Sequence, residues 1–373
     1  AWAEELSLAT AGGALQRRAS RIEPRGVAPA YNHRVVLADQ LARPLRNLRL
    51  SVTDRCNLRC QYCMPEAEYV WLPREDLLHF EEISRLVDLF IELGVDKVRL
   101  TGGEPLLRRD LAALVRMLAA KPGLHDLAMT SNGILLADQI DGLKAAGLKR
   151  VTVSLDTLRH DRFAALARFD ELTRVQEGIA AASRAFGTLK IDTVIIKGTN
   201  DDELVPLIEY GKTMNAEVRF IEYMDVGGAT HWSWANVLSR GEMIERLAEH
   251  YGAVMPLRNE GSAPADRFEL PDGATFGIIS STTQPFCASC DRSRLTADGM
   301  WYLCLYATRG ADLRAALRGG ASNEELKTLM AGLWEKRDDR GAEDRLALGD
   351  RRAFVPIKAL KQDPHLEMHT RGG

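Results

Sequence analysis

No apolar run in this chain approaches the roughly 20 residues that a bilayer-spanning helix needs, so a helical membrane protein is excluded. Net charge is also scarce. Forty-nine Lys and Arg against 52 Asp and Glu leave a formal −3, which argues against a general nucleic-acid-binding surface. Six cysteines in 373 residues are too few for a disulfide scaffold. The opening stretch, AWAEELSLATAGGALQRRASRIEPRG, lacks the apolar core of a secretory signal. It is rich in Ala and Arg, as an organelle presequence is, but Glu4 and Glu5 weigh against that reading and favour a mobile terminal arm. The expected location is the cytoplasm, with an organellar matrix as the alternative. There is no low-complexity segment. What remains, 46% hydrophobic and 27% charged residues over this length, suits one large globular domain with an appendage.

The cysteines fall into two triplets with none left over. Cys56, Cys60 and Cys63 lie in TDRCNLRCQYCMP, and Cys287, Cys290 and Cys304 lie in PFCASCDRSRLTADGMWYLC. Three thiolates are an incomplete set for tetrahedral zinc, and no histidine nearby in sequence offers a fourth ligand. A cubane iron–sulfur cluster on three thiolates keeps one iron open. The count therefore suggests two clusters, each with an iron free for a non-protein ligand. Arg, Asn and Gln around the first triplet are poor core composition, which sets aside a merely buried cysteine set.

From about residue 45 short apolar runs alternate with amphipathic stretches. Strands are predicted at 47–53, 95–101, 124–131, 148–156, 189–198 and 217–227. Helices are predicted at 80–94, 111–120, 136–147, from the fourth strand to about Phe186, and at 203–214. Regular alternation implies parallel strands with helical crossovers. Six units do not fill an eight-unit barrel. The expected fold is an incomplete, TIM-like (β/α)6 barrel with a C-terminal extension carrying the second cysteine group; a doubly wound sheet is the fallback. The expected divisions are an N-terminal arm at 1–44, the partial barrel at 45–235 and the C-terminal region at 236–373. Residues 337–352, DDRGAEDRLALGDRR and the residue before it, read as a charged, solvated stretch.

The C-x3-C-x2-C triplet after the first strand, followed one unit later by TGGEP (101–105), resembles the radical S-adenosylmethionine (SAM) enzymes. The resemblance implies a [4Fe–4S] cluster on Cys56, Cys60 and Cys63 whose open iron chelates SAM. It also implies SAM contacts at Tyr62, Gly103, Glu104, Ser154 and Met224, with Glu104 suited to accept from an ammonium group. The second triplet, Arg292-Ser293-Arg294 directly after it, VWLPREDLLHFEEI after the first motif, and the terminal Gly372-Gly373 narrow this further. Together they resemble the MoaA family, the GTP 3′,8-cyclases of molybdenum cofactor biosynthesis. That implies a second [4Fe–4S] cluster on Cys287, Cys290 and Cys304 facing guanine. It implies GTP contacts at Arg49, Arg99, Thr130, Lys190, Arg292, Ser293 and Arg294. Arg49, Arg294, Gly372 and Gly373 are implied to act in catalysis, with the Gly-Gly tail reaching the substrate pocket. The implied chemistry is hydrogen abstraction at ribose C3′ and closure onto guanine C8.

The implied partners are GTP, an external electron donor, a second copy of the chain in a homodimer, and cyclic pyranopterin monophosphate synthase downstream. Arginines suit a triphosphate independently, because planar guanidinium groups bind phosphate oxygens bidentately. Two alternatives stay open on the residues alone. One is a peptide- or cofactor-maturing radical SAM enzyme with an auxiliary cluster. The other is a non-catalytic iron–sulfur or zinc protein.

Overall fold

The computed structural model describes residues 37–258 and 261–372. Most of the expected N-terminal arm, and Gly373, lie outside the described residues. The barrel units run in order as β1 (Asn47–Ser51), α1 (Phe80–Glu92), β2 (Lys97–Thr101), α2 (Leu111–Ala119), β3 (Asp126–Ser131), α3 (Leu136–Ala145), β4 (Arg150–Ser154), α4 (His160–Ala167), α5 (Leu172–Phe186), β5 (Leu189–Ile195), α6 (Leu204–Thr213) and β6 (Ala216–Glu222). The six strands lie side by side in chain order, every pair parallel. This is the incomplete (β/α)6 barrel expected from the alternation.

The strand period of two explains what each face carries. In β1, Leu48 and Leu50 are buried in the core, whereas Arg49 takes the opposite face. In β2, Val98 and Leu100 repeat the pattern around Arg99. The outer helices answer with apolar stripes; α1 buries Ile83, Leu86, Val87 and Phe90 at helical spacing. Its first turn is closed by the Glu82 carboxylate, which accepts the His79 N–H at 2.7 Å.

One predicted helix is in fact two. The segment before Phe186 breaks between α4 and α5, where Arg168 adopts a left-handed φ of 65°. The break has a use. The freed carbonyls of Leu166 and Ala167 accept the backbone N–H groups of Gln61 (2.9 Å) and Arg59 (3.1 Å). The end of α4 thus holds the first cysteine loop, and orphan helix carbonyls find partners there.

The C-terminal elements are α7 (Arg240–Tyr251), β7 (Met255–Leu257), β8 (Asp266–Glu269), β9 (Thr275–Ile279), β10 (Arg292–Leu295), β11 (Met300–Tyr302), β12 (Ala311–Asp312), α8 (Leu313–Arg318), α9 (Asn323–Glu335), α10 (Gly341–Leu346), α11 (Ile357–Gln362) and α12 (Met368–Arg371). They extend the barrel sheet at both edges. β9 pairs parallel with β6 and carries the antiparallel β8 and β7 outside it. β10 pairs parallel with β1 and carries the antiparallel β11 and β12. An incomplete barrel leaves two edges of unpaired backbone groups, and these strands satisfy them. Trp301 of β11 joins the halves, with ring centroids 5.4 Å from Phe90 and 6.4 Å from Trp334 of α9. All three rings are fully buried.

The charged stretch after residue 336 is not simply solvated. Arg337 is buried against Trp334, 4.5 Å from its ring centroid. Arg345 through Nε and Arg351 through Nη2 both donate to Asp225 at 2.7 Å, and Tyr306 donates to the same carboxylate at 2.9 Å. Asp225 is wholly buried just beyond β6. A buried carboxylate requires such partners, and local composition does not reveal a partner more than a hundred positions away.

Trp334→Ala is expected to lower unfolding free energy by about 3–5 kcal/mol, the usual range for emptying a buried aromatic site. A urea melt would read it; a change below about 1 kcal/mol would show that α9 is not part of the barrel core.

Candidate active site

All six cysteines face one cavity of about 330 Å³. The first triplet follows the C-terminal end of β1, where barrel folds place their chemistry; the second lies at the other end of the strands, before β10 and after β11. The thiols are free and half-buried. Among the described residues, no three His, Cys, Asp or Glu side chains converge on a single metal ion. Each triplet nevertheless shares the cavity wall, and three thiolates at wider spacing suit a multi-iron cluster. Burial pushes Cys56 up to about 11 and Cys304 up to about 12, and raises Cys60 and Cys63 as well. Such thiols ionise only when a cation joins them. Cys290 differs. Burial pushes it up, but Arg292 and Arg337 outweigh that and bring it down to about 7.

Close backbone packing shapes the first cysteine loop. A Cβ on Gly102 would stand 2.2 Å from the Thr53 carbonyl, and one on Gly103 would stand 2.3 Å from that of Arg55. Gly102 also has a φ of +140°, which L side chains rarely adopt. The N–H groups of Gly103 and Glu104 donate to those two carbonyls at 3.0 and 2.8 Å. The glycines of TGGEP therefore admit the cysteine loop itself. In the loop after β6, Gly228 does the same; its Cβ would meet the Cys63 carbonyl at 1.9 Å.

The SAM positions named from the sequence divide. Tyr62, Gly103, Ser154 and Met224 line the cavity. Glu104 does not. It is fully buried, and its carboxylate accepts from Ser131 Oγ (3.0 Å), Asn132 N–H (2.7 Å) and Leu106 N–H (3.0 Å). These three donors fix the turn after β3 and leave acceptor capacity on the carboxylate. Burial raises its carboxyl to about 7 despite these donors. The cavity contact at this turn falls to Gly102 and Gly103.

A row of cations forms the opposite wall. Parallel register sets Arg49 beside Arg99 of β2 and Arg294 of β10. Arg49, Arg292 and Arg294 line the cavity, as does Thr130. Arg99 sits behind Thr130, donating to its Oγ1 at 2.9 Å and to Thr152 Oγ1 at 3.1 Å. Burial, then the neighbouring guanidiniums, bring Arg49 and Arg99 down to about 9 and Arg294 to about 10. All three stay charged at neutral pH; Asp192 offsets part of the repulsion at Arg49 and Arg99, and an anion in the cavity would offset more. Lys190 lies deeper, two residues before the cavity-lining Asp192 on β5, and burial brings it down to about 8. Ser293 lies between Arg292 and Arg294 on β10. Strand alternation turns its buried side chain away from the cavity that Arg292 and Arg294 face.

The C-terminal tail enters this site. Arg294 donates to the carbonyls of Gly372 and, at 3.2 Å, of Arg371. Gly372 has a φ of +66°, and a Cβ there would stand 1.8 Å from Thr101 Oγ1 and 2.9 Å from Ser51 Oγ. Only glycine fits. Gly373 lies outside the described residues. Two anchors hold the approach. Arg371 donates to the carbonyls of Leu305 (3.0 Å) and Ala307 (2.6 Å) and stacks on Tyr302 at 4.2 Å. His365 lies between Asp298 (2.7 Å) and Asp363 (2.9 Å).

With this geometry in view, the relatives are informative. Residues 50–211 match the Radical SAM superfamily, and residues 216–343 match Molybdenum Cofactor Synthesis C. GTP 3′,8-cyclase 1 of Mycobacterium tuberculosis is 57% identical over 355 residues, covering 94% of this chain and 98% of the relative. The chain belongs to the GTP 3′,8-cyclase family. The family's Acidothermus cellulolyticus member is 47% identical over 82% of this chain and 88% of its own. The Staphylococcus aureus member is 41% identical over 83% and 94%. A solved structure of Streptococcus suis SuiB bound to precursor peptide SuiA superposes with a TM-score of 0.56 at 15% identity, covering 82% of this chain and 67% of that one. That likeness concerns fold.

Several cavity residues of this cyclase family member were missed in the sequence. Asp156 accepts from Tyr62 Oη at 2.7 Å and from Val194 N–H at 2.9 Å, fixing the tyrosine between two cysteines. Its place at the end of β4 was the available signal. Asp192, Met368 and His369 also line the cavity, and nothing local marked them. His369 meets Tyr69 and Trp71 edge-on at 5.3 and 5.6 Å, and burial lowers its ring to about 3, so it is neutral.

Two outcomes follow for this site. Inorganic triphosphate is expected to raise the thermal midpoint of the metal-free chain by stabilising the cationic wall, and Arg49→Gln should shrink that shift; an equal shift in both would remove Arg49 from the anion site. For the tail, burial opposes but Asp298 and Asp363 prevail, raising His365 above its ordinary 6.5. A raised histidine stabilises fully below its unfolded value and loses that contribution as pH rises through the folded one. The midpoint difference between wild type and His365→Gln should therefore be largest near pH 6 and fade above the raised value. A pH-independent difference would show that the charge of His365 does not hold the tail.

Proposed function

We propose that this chain converts GTP to (8S)-3′,8-cyclo-7,8-dihydroguanosine 5′-triphosphate by radical SAM chemistry, the first step of molybdenum cofactor biosynthesis. The observation that carries the reading is that both cysteine triplets open into one cavity with a row of buried arginines between them. A protein with one metal centre, or two remote ones, has no use for that arrangement.

In this reading Cys56, Cys60 and Cys63 hold one [4Fe–4S] cluster, and Cys287, Cys290 and Cys304 hold a second. With SAM bound at the first, the cofactors supply a 5′-deoxyadenosyl radical, which is their chemistry rather than the protein's. The chain's own residues orient and shield. Tyr62, braced by Asp156, with Gly103, Ser154 and Met224 forms the SAM wall. Arg49, Arg292 and Arg294 take the triphosphate, a ligand of about four negative charges that relieves their mutual repulsion. Thr130, with Arg99 behind it, and Lys190 complete the cationic floor. Arg294 also holds the tail carbonyls of Arg371 and Gly372, so phosphate and tail meet at one guanidinium. Functionally the chain divides near residue 235, the earlier part generating the radical and the later part presenting the base. An external electron donor, a homodimer and a downstream cyclic pyranopterin monophosphate synthase belong to the same reading.

Anaerobic reconstitution should give about eight irons per chain, as two cubanes require. Adding SAM, a reductant and GTP should then yield 5′-deoxyadenosine and a cyclised nucleotide. SAM cleavage only in the presence of a peptide, with GTP inert, would sink the proposal. Cys304→Ala should retain the SAM-responsive cluster and lose GTP binding; unchanged GTP affinity would remove the second triplet from substrate recognition.

A further inference from the structure

Two buried arginines from opposite ends of the chain close on the second cysteine loop. Arg43, just before β1, is 2% exposed. Its Nε donates to Asp39 Oδ2 at 2.5 Å, and its Nη1 donates to the carbonyls of Cys287 (3.1 Å) and Asp339 (2.7 Å). Arg337, just after α9, is 3% exposed. Its Nη1 donates to the Cys290 carbonyl at 2.9 Å and lies 3.4 Å from the same Asp39 oxygen. Its Nε reaches Asp339 at 3.1 Å, and its plane stacks on Trp334. The Trp334 indole closes the ring by donating to the Arg43 carbonyl at 3.1 Å.

We propose that Arg43 and Arg337, shared by Asp39, are positioning residues that preset the Cys287–Cys290 backbone so that three protein ligands alone retain a cluster there. The inference rests on the two-cluster reading above. The loop needs such support. Its own structure is a single short turn, closed by the Cys290 N–H on the Cys287 carbonyl at 3.1 Å. A fourth protein ligand, which would stiffen the site, is missing from the triplet. Burying two guanidiniums is costly unless every contact is well made. Arg43 Nη2 even remains buried with no hydrogen-bond partner among the described residues, a cost that marks its position as imposed by other demands. Both arginines spend a donor on a ligand cysteine's carbonyl, which fixes the loop backbone itself. Partners of this outer kind commonly change metal affinity by roughly 10–100-fold when removed.

The test compares wild type, Arg337→Lys and Arg337→Gln after anaerobic reconstitution. Iron and sulfide per chain, the rate of iron loss to a chelator, and electron paramagnetic resonance of the reduced protein with SAM or GTP added are the readouts. Loss should quicken from wild type to Arg337→Lys to Arg337→Gln, by about tenfold or more at the end of the series. It should be confined to the GTP-responsive signal, with iron in Arg337→Gln falling toward half the wild-type value. Lysine keeps charge and one donor but cannot hold the Cys290 carbonyl, Asp339 and the Trp334 face together. If Arg337→Gln fails to fold, wild type against Arg337→Lys decides by the same rates. Equal retention across the series would overturn the proposal, as would parallel loss of both clusters with a collapsed thermal midpoint. If the wild type itself holds only one cluster, the two-cluster reading fails instead.

Discussion

Backbone hydrogen bonds between β1 and β10 set where both halves of the site stand. β1 delivers the first cysteine loop from its end, and β10 follows directly on the second cysteine pair. Because they pair in parallel, the first loop leaves the C-terminal end of β1 while the second lies at the N-terminal end of β10, so the two loops stand at opposite ends of the sheet with the cavity between them. Because the register matches Arg49 to Arg294 and to Arg99, three guanidiniums stand abreast on one face. A shift of one residue would turn them into the apolar layer beneath the helices. The incompleteness of the barrel makes this pairing available, since a closed barrel has no free edge for β10.

Around that pairing the chain repeatedly uses distant polar groups to hold loops that have little structure of their own. The end of α4 holds the first cysteine loop, Arg43 and Arg337 hold the second, and Asp225 gathers Arg345, Arg351 and Tyr306 beside Met224. The tail is held by Arg371 and His365 and ends against Arg294. Loops that border an open cavity cannot be packed solid with apolar side chains. Hydrogen bonds to their backbone fix them while leaving the space open.

Much of this was legible in the residues. The six-unit alternation appeared because each strand and helix carries its own period. The first cysteine triplet and TGGEP were legible because each is closely spaced within one loop, and Cys287 and Cys290 likewise; Cys304 lies beyond β10 and β11. Arg49, Arg99 and Arg294 could be suspected from strand positions, but not that they are neighbours. At Glu104 and Ser293 a motif gives the residue, and the backbone decides which way its side chain points. The solvated reading of the 337–352 stretch failed because its partner, Asp225, is remote in sequence.

The sequence alone therefore determined the fold class, the two incomplete ligand sets and, through resemblance and identity, the family. These depend on local period, local spacing and order of motifs, all of which survive in one dimension. Tertiary structure alone decided that both triplets share one cavity, that Arg371 and Gly372 meet Arg294, and that Arg43 and Arg337 brace the second cysteine loop. Each of those joins segments far apart in the chain, and only strand register and burial bring them within hydrogen-bond reach.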